Sequence, residues 1–178
     1  MPPIFHMVAG APDPVAPFSH AVEADGWVFV TGQMPFTGTS IDTPYPEGIE
    51  AQTRQVMANL QTVLAGCGLG LPDVLSARIY LTHFDEDYAA MNAVYASYFP
   101  AGRRPARTCI GVTALARGAR VEIDMVARRT TPYTESRSAA CSIGSADGPL
   151  RTLKSRCAGS GACRTPTLLP ARRRVGPG

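Results

Sequence analysis

The sequence predicts an α+β domain: a mixed sheet with two helices packed on one face, in the order ββαβαββ. Three observations lead there. Two segments, Ile49 to Cys67 and Phe84 to Phe99, carry apolar residues at helical spacing. Around them lie runs in which apolar residues recur every second position, as in a half-buried strand. After Arg128 the periodicity stops, so the domain is expected to occupy residues 1–128.

The elements follow in order. Residues 1–17 hold Pro2, Pro3, Pro12, Pro14 and Pro17 and read as an extended lead-in. Phe18 to Glu23 is a first strand, Asp25-Gly26 a turn, and Trp27 to Thr31 a second strand rich in aromatic and β-branched residues. A loop with Pro35, Gly38, Pro44 and Pro46 leads to the first helix. In that helix Ile49, Val56, Met57, Leu60, Val63, Leu64 and Cys67 share a face, and Gln52, Arg54, Gln55 and Asn59 are expected to lie away from it. Gly66 and Gly68 end it. Pro72-Asp73 opens a strand, Val74 to Thr82. The second helix starts on Asp85, Glu86 and Asp87, which suit its positive end, and Pro100 stops it. Its stripe of Tyr88, Met91, Val94, Tyr95 and Tyr98 reads as core packing.

Arg103 to Ala127 then reads as two strands joined by a short turn at Leu115–Gly118, where Gly118 is free to take positive φ. Arg107, Cys109, Gly111 and Thr113 alternate with Thr108, Ile110 and Val112; Val121, Ile123 and Met125 alternate with Glu122, Asp124 and Val126. Charged residues inside such strands need a partner. Two readings are open: an Arg107–Glu122 structural ion pair, or a guanidinium fork for a substrate carboxylate with a carboxylate nearby to position water.

Charge and cysteine divide the chain in the same place. Residues 1–128 carry eight arginines, no lysine and twelve acidic residues, a net charge of −4. Residues 129–178 carry eight arginines, Lys154 and two acids, a net charge of +7. The acidic body argues against a nucleic-acid face. The basic segment, scattered with Ser, Gly and Pro, has the composition of a disordered and dispensable tail. A nucleic-acid or membrane tether is the competing reading. The five cysteines form no CxxC pair, and His6, His20 and His83 make no ligand spacing with them, which argues against a metal site. No apolar run reaches the roughly 20 residues of a membrane span. The N-terminus lacks a basic region followed by an apolar one, which points to the cytoplasm.

Five short motifs occur in order: Pro14-Val15-Ala16-Pro17-Phe18-Ser19, Thr31-Gly32-Gln33, Asn92-Ala93-Val94-Tyr95, Pro105-Ala106-Arg107 and Val121-Glu122-Ile123. Together they resemble the Rid family, also called YjgF or L-PSP, over residues 10–128. The resemblance implies a chorismate-mutase-like fold and a homotrimer with active sites between subunits. It implies hydrolysis of enamine and imine intermediates, such as 2-aminoacrylate and 2-iminopropanoate, to 2-oxo acids and ammonia, without a metal or organic cofactor. Arg107 would hold the substrate carboxylate and Glu122 would orient or activate water. Thr31 and Gly32 stand where the family has a Ser-Gly step, and Asn92 and Cys109 would line the cleft. Phe18 stands where the deaminases often have Tyr, and removes a hydroxyl. Cys109 reads more readily as a small hydrophobe than as a nucleophile. A non-catalytic carboxylate-binding trimer and, more weakly, a ribonuclease or translation inhibitor are the alternatives.

Overall fold

The computed structural model describes residues 2–130; most of the predicted tail lies outside the described residues. Six strands and two helices form: β1 (Ile4–His6), β2 (Ala21–Ala24), β3 (Trp27–Gln33), α1 (Ile49–Gly66), β4 (Val74–Leu81), α2 (Phe84–Ala96), β5 (Ala106–Gly111) and β6 (Val121–Arg128). The sheet order is β1-β2-β3-β6-β4-β5. Every pairing is antiparallel except β4–β5, which is parallel, so the sheet is mixed as expected.

Four details differ from the expectation. The proline-rich lead-in contains a strand, β1, which pairs with β2 at one sheet edge. The first expected strand starts later, at Ala21, because Phe18 N–H donates to Ala16 O and turns the chain there. The last two strands, although joined by a short turn, do not pair with each other. Helix α2 returns the chain to the end where β4 began, so β5 joins β4 in parallel, and β6 inserts between β3 and β4. The turn between them still forms, with Arg117 and Gly118 at φ 55° and 74°.

The fourth difference concerns α1. Gln52 and Asn59 are buried rather than turned away. Asn59 Nδ2 donates to the carbonyls of Met34 and Phe36, both at 2.9 Å. Gln52 Nε2 donates to Pro46 O, and its Oε1 accepts from Arg120 N–H. The loops beside α1 have no ladder of their own, and these amides satisfy their backbone groups.

The Asp25-Gly26 turn closes the β2–β3 hairpin with both residues at positive φ, the conformation a two-residue loop needs. The core lies on one side of the sheet. Val56, Met57, Leu60, Val63 and Leu64 of α1 and Met91 of α2 meet Val28, Ala77, Ile79, Val121, Ile123 and Met125. Each such fully buried aliphatic contributes about 1.5–3 kcal/mol. On the other side Phe29, Ile110, Arg78 and Tyr80 stand on a face that no described element covers; Phe29 is 51% and Ile110 46% exposed.

Asp87, 1% exposed at the start of α2, receives Nε and Nη2 of Arg120 at 2.9 and 2.7 Å, so this acid pins α2 to the start of β6. Just past β6, Arg129 donates to Glu23 at 3.1 and 2.9 Å and to Cys67 O at 2.8 Å. Shortening the chain to end at Arg129 is expected to leave the melting temperature unchanged. Ending it at Arg128 should lower it by about 2–6 °C, for roughly 1 kcal/mol of lost pairing. Thermal melts of the two forms check both statements.

Candidate active site

Strand register settles the Arg107–Glu122 relation. Arg107 and Cys109 are opposite Ala77 and Ile79 of β4, which are core residues on the helix side. Glu122 and Asp124 are opposite Tyr80 and Arg78, on the open side. Arg107 and Glu122 therefore point from opposite faces of one sheet. Strand β4 also lies between them, which adds about 10 Å of lateral separation. They make no ion pair, so the structural-pair reading fails within one chain. The predicted residues divide into two groups.

The first group is Arg107, Asn92 and Cys109. Arg107 Nη1 donates to Asn92 Oδ1 at 2.6 Å. Its guanidinium lies 5.1 Å from the Tyr95 ring centroid. An aromatic face and an amide oxygen thus orient the group, and its other N–H donors make no hydrogen bond or ion pair among the described residues. Such a fork is poised for a planar carboxylate. Tyr95 sits one turn after Asn92, so the helical period of α2 brings both under Arg107. The sequence reading assigned Tyr95 to the core; it is buried, yet it also carries Arg107. Burial pushes its hydroxyl up to about 12, and that hydroxyl has no hydrogen-bond partner among the described residues. Burial also raises the Cys109 thiol, against the opposing pull of Arg107. The thiol form favours the reading of Cys109 as a small hydrophobe over a nucleophile.

The second group is Glu122, Gly32, Thr31 and Phe18. Between Val30 and Gln33, β3 carries one residue more than β6 opposite it, a bulge at Thr31-Gly32. The Glu122 side chain lies across the α-carbon of Gly32, and a Cβ there would collide with its carboxylate. Burial raises the Glu122 carboxyl above its ordinary value, and the charge of Asp124 adds to that. Asp124 itself is tied to Arg78 Nε at 2.9 and 3.0 Å and to the Tyr80 hydroxyl at 3.1 Å. Thr31 Oγ1 donates to Ser19 O at 2.7 Å, so its proton is committed and only its lone pairs remain to accept a hydrogen bond. Phe18 is half-buried and shares with Gly32 and Gln33 a small cavity of about 20 Å³. Gly32→Ala is expected to fold, because the obstructing atoms end a flexible side chain, but to displace the Glu122 carboxylate. Turnover should fall about 10²-fold or more with little change in melting temperature, as seen by steady-state kinetics and thermal melts.

His20 was not singled out from the sequence. It is buried, accepts Val8 N–H at Nδ1 and meets Pro12 O at Nε2, each at 2.9 Å. Both ring nitrogens serve the lead-in backbone, which makes His20 a structural residue beside the Phe18 loop.

Comparison with known proteins bears on the family and the fold. The family model described as Endoribonuclease L-PSP matches residues 8–129. A RutC family protein of Synechocystis, slr0709, is 37% identical over 119 residues, covering 67% of this chain and 91% of the relative. The crystal structure of YyfA from Yersinia pestis, a protein of unknown function in the conserved Rid family, superposes with a TM-score of 0.65. It is 30% identical and covers 72% of this chain and 100% of its own. Escherichia coli TdcF, crystallised with bound serine, gives a TM-score of 0.62 at 26% identity, over 70% of this chain and 99% of TdcF. The residues of both groups fall within the matched span, and the chain belongs to the Rid family, also called YjgF or L-PSP.

Proposed function

We propose that this protein hydrolyses 2-imino acids and their enamine tautomers to 2-oxo acids and ammonia, in a homotrimer whose sites lie between subunits. The observation that carries the reading is the Arg107 guanidinium, oriented by Asn92 and Tyr95 and left without an acidic partner among the described residues. A relative that binds serine, an α-amino acid, is consistent with an anchor for an α-carboxylate. The opposed faces of Arg107 and Glu122 support a shared site. One chain cannot direct both groups at a three-carbon substrate, whereas the uncovered sheet face with Phe29 and Ile110 gives a second copy a surface to bury.

The chemistry needs few groups. An enamine first gains a proton from solvent at its β-carbon to become the protonated imine, the electrophilic form. Arg107 of one subunit holds the carboxylate, which fixes the C=N plane. Glu122 of the neighbour takes a proton from water as the water oxygen bonds to the imine carbon, giving a 2-amino-2-hydroxy acid. Glu122 then returns that proton to nitrogen. The C–N bond breaks, ammonia leaves, and the hydroxyl loses its proton to become the 2-oxo group. A carboxyl raised by burial suits this exchange, since it takes up a proton more readily than an ordinary glutamate and can give it back.

The test is to generate 2-aminoacrylate with a dehydratase and follow pyruvate and ammonia. The protein should accelerate their appearance well beyond spontaneous hydrolysis, and light scattering should give a trimer. Binding without acceleration would replace the enzyme by a carboxylate-binding module. The same domain carrying a net charge of −4 disfavours RNA as the substrate.

A further inference from the structure

A cavity of about 370 Å³ lies outside both half-sites, between the turn that enters β4, the C-terminal end of α2 and the loop that enters β5. Its walls are Leu71, Pro72, Tyr98, Phe99 and Pro100, and its single charged residue is Arg103. We propose that this cavity binds a small aromatic carboxylate, with the ring between the apolar walls and the carboxylate on Arg103.

The walls are built rather than incidental. Leu71 and Pro72 belong to a 3₁₀ turn held by Asp73, whose carboxylate accepts Gly70 N–H at 2.8 Å. That bond commits the nearest acid in sequence to the turn's own backbone. Phe99 is 6% exposed and packs against the Tyr95 ring at a tilt of 42° with centroids 5.0 Å apart, so one wall is fixed by the core. Pro100 O accepts Arg103 N–H at 3.0 Å, and Gly102 at φ 79° lets the chain turn. This turn holds Arg103 at the cavity. The Arg103 side chain makes no hydrogen bond or ion pair among the described residues. A buried ion pair would have closed the site; an unpaired guanidinium beside rings and prolines leaves one anionic and one flat apolar requirement.

The volume lies in the range of small-molecule sites. A phosphate would favour more donors than the one arginine among the lining residues. A three-carbon imino acid would leave the aromatic walls unfilled. The ligand class thus differs from that proposed for Arg107, although the Tyr95–Phe99 contact makes the two sites neighbours.

The experiment is titration calorimetry of the full chain with 3-phenylpropanoate and its neutral counterpart 3-phenylpropan-1-ol. The acid should bind saturably below about 1 mM and at least about tenfold more tightly than the alcohol. Arg103→Ala should weaken the acid at least about tenfold, while Arg104→Ala, its exposed neighbour in the loop, and Arg107→Ala leave it unchanged. Loss of binding in Arg107→Ala with retention in Arg103→Ala would put the acid in the deaminase cleft and overturn the proposal. Equal weakening by Arg103→Ala and Arg104→Ala would reduce it to general charge attraction and overturn it too. So would the absence of saturable binding to the folded protein.

Discussion

Glu122→Gln should lower kcat by about 10²–10⁴-fold, the usual worth of a positioned acid–base group, while the protein becomes more resistant to heat at neutral pH. The two effects share one cause. Burial disfavours the Glu122 carboxylate, so its folded-state value stands above the unfolded one. Below the unfolded value both states are protonated and nothing is lost. As pH rises from there through the folded value, the unfolded chain gives up its proton first, and the native state loses stability. Glutamine keeps the shape, carries no charge and escapes that loss. Melts of wild type and Glu122→Gln should therefore coincide at acid pH and separate above it, with the variant higher. A structural ion pair predicts the opposite sign, because removing one partner of a buried pair destabilises. The same raised value places the acid limb of the pH–rate profile above the ordinary glutamate range. A profile flat across that range, or a variant with near wild-type kcat, would remove Glu122 from the chemistry.

How far the sequence reached depended on whether a feature was local. The helices and the turn at Asp25-Gly26 follow from periodicity and turn chemistry, and they stand within a few residues of their expected bounds. The sheet partners of β5 and β6 were not legible, because pairing is non-local. Two alternating strands with a short connector look the same whether they pair with each other or leave a slot for β4. Gln52 and Asn59 failed for a related reason. Periodicity sorts polar residues outward, but a buried amide is favourable where loop carbonyls lack a ladder, and those loops lie far away in sequence. The candidate site was legible as a set of residue types and not as a place. Arg107 and Glu122 carry the groups the proposed reaction needs, yet only register tells that they leave opposite faces. Tyr95 escaped notice as an orienting group because a ring that packs the core and a ring that carries a guanidinium have the same sequence signature.

That opposition gives the sharpest test. Arg107→Ala should lower kcat/KM by about 10–150-fold, the equivalent of roughly 1.5–3 kcal/mol for a charge-assisted bond to the carboxylate. Arg107→Lys should resemble it, since an ammonium keeps the charge and loses both the fork and the planar seat on Tyr95. Neither change should lower the melting temperature much, because among the described residues the Arg107 side chain has only Asn92 as a hydrogen-bond partner and lies half-exposed at the edge strand. Now let Arg107→Ala and Glu122→Gln chains be unfolded together and refolded as a 1:1 mixture. If each site takes its arginine from one subunit and its glutamate from the next, random assembly gives about a quarter of sites with both groups intact. Activity should then return to about a quarter of wild type, although each variant alone has lost most of it. If a single chain supplied both groups, every site would lack one of them and mixing would restore nothing. Failure of the mixture to recover, with mixed trimers verified by mass, would sink the shared site; full activity in Arg107→Ala alone would sink the carboxylate anchor.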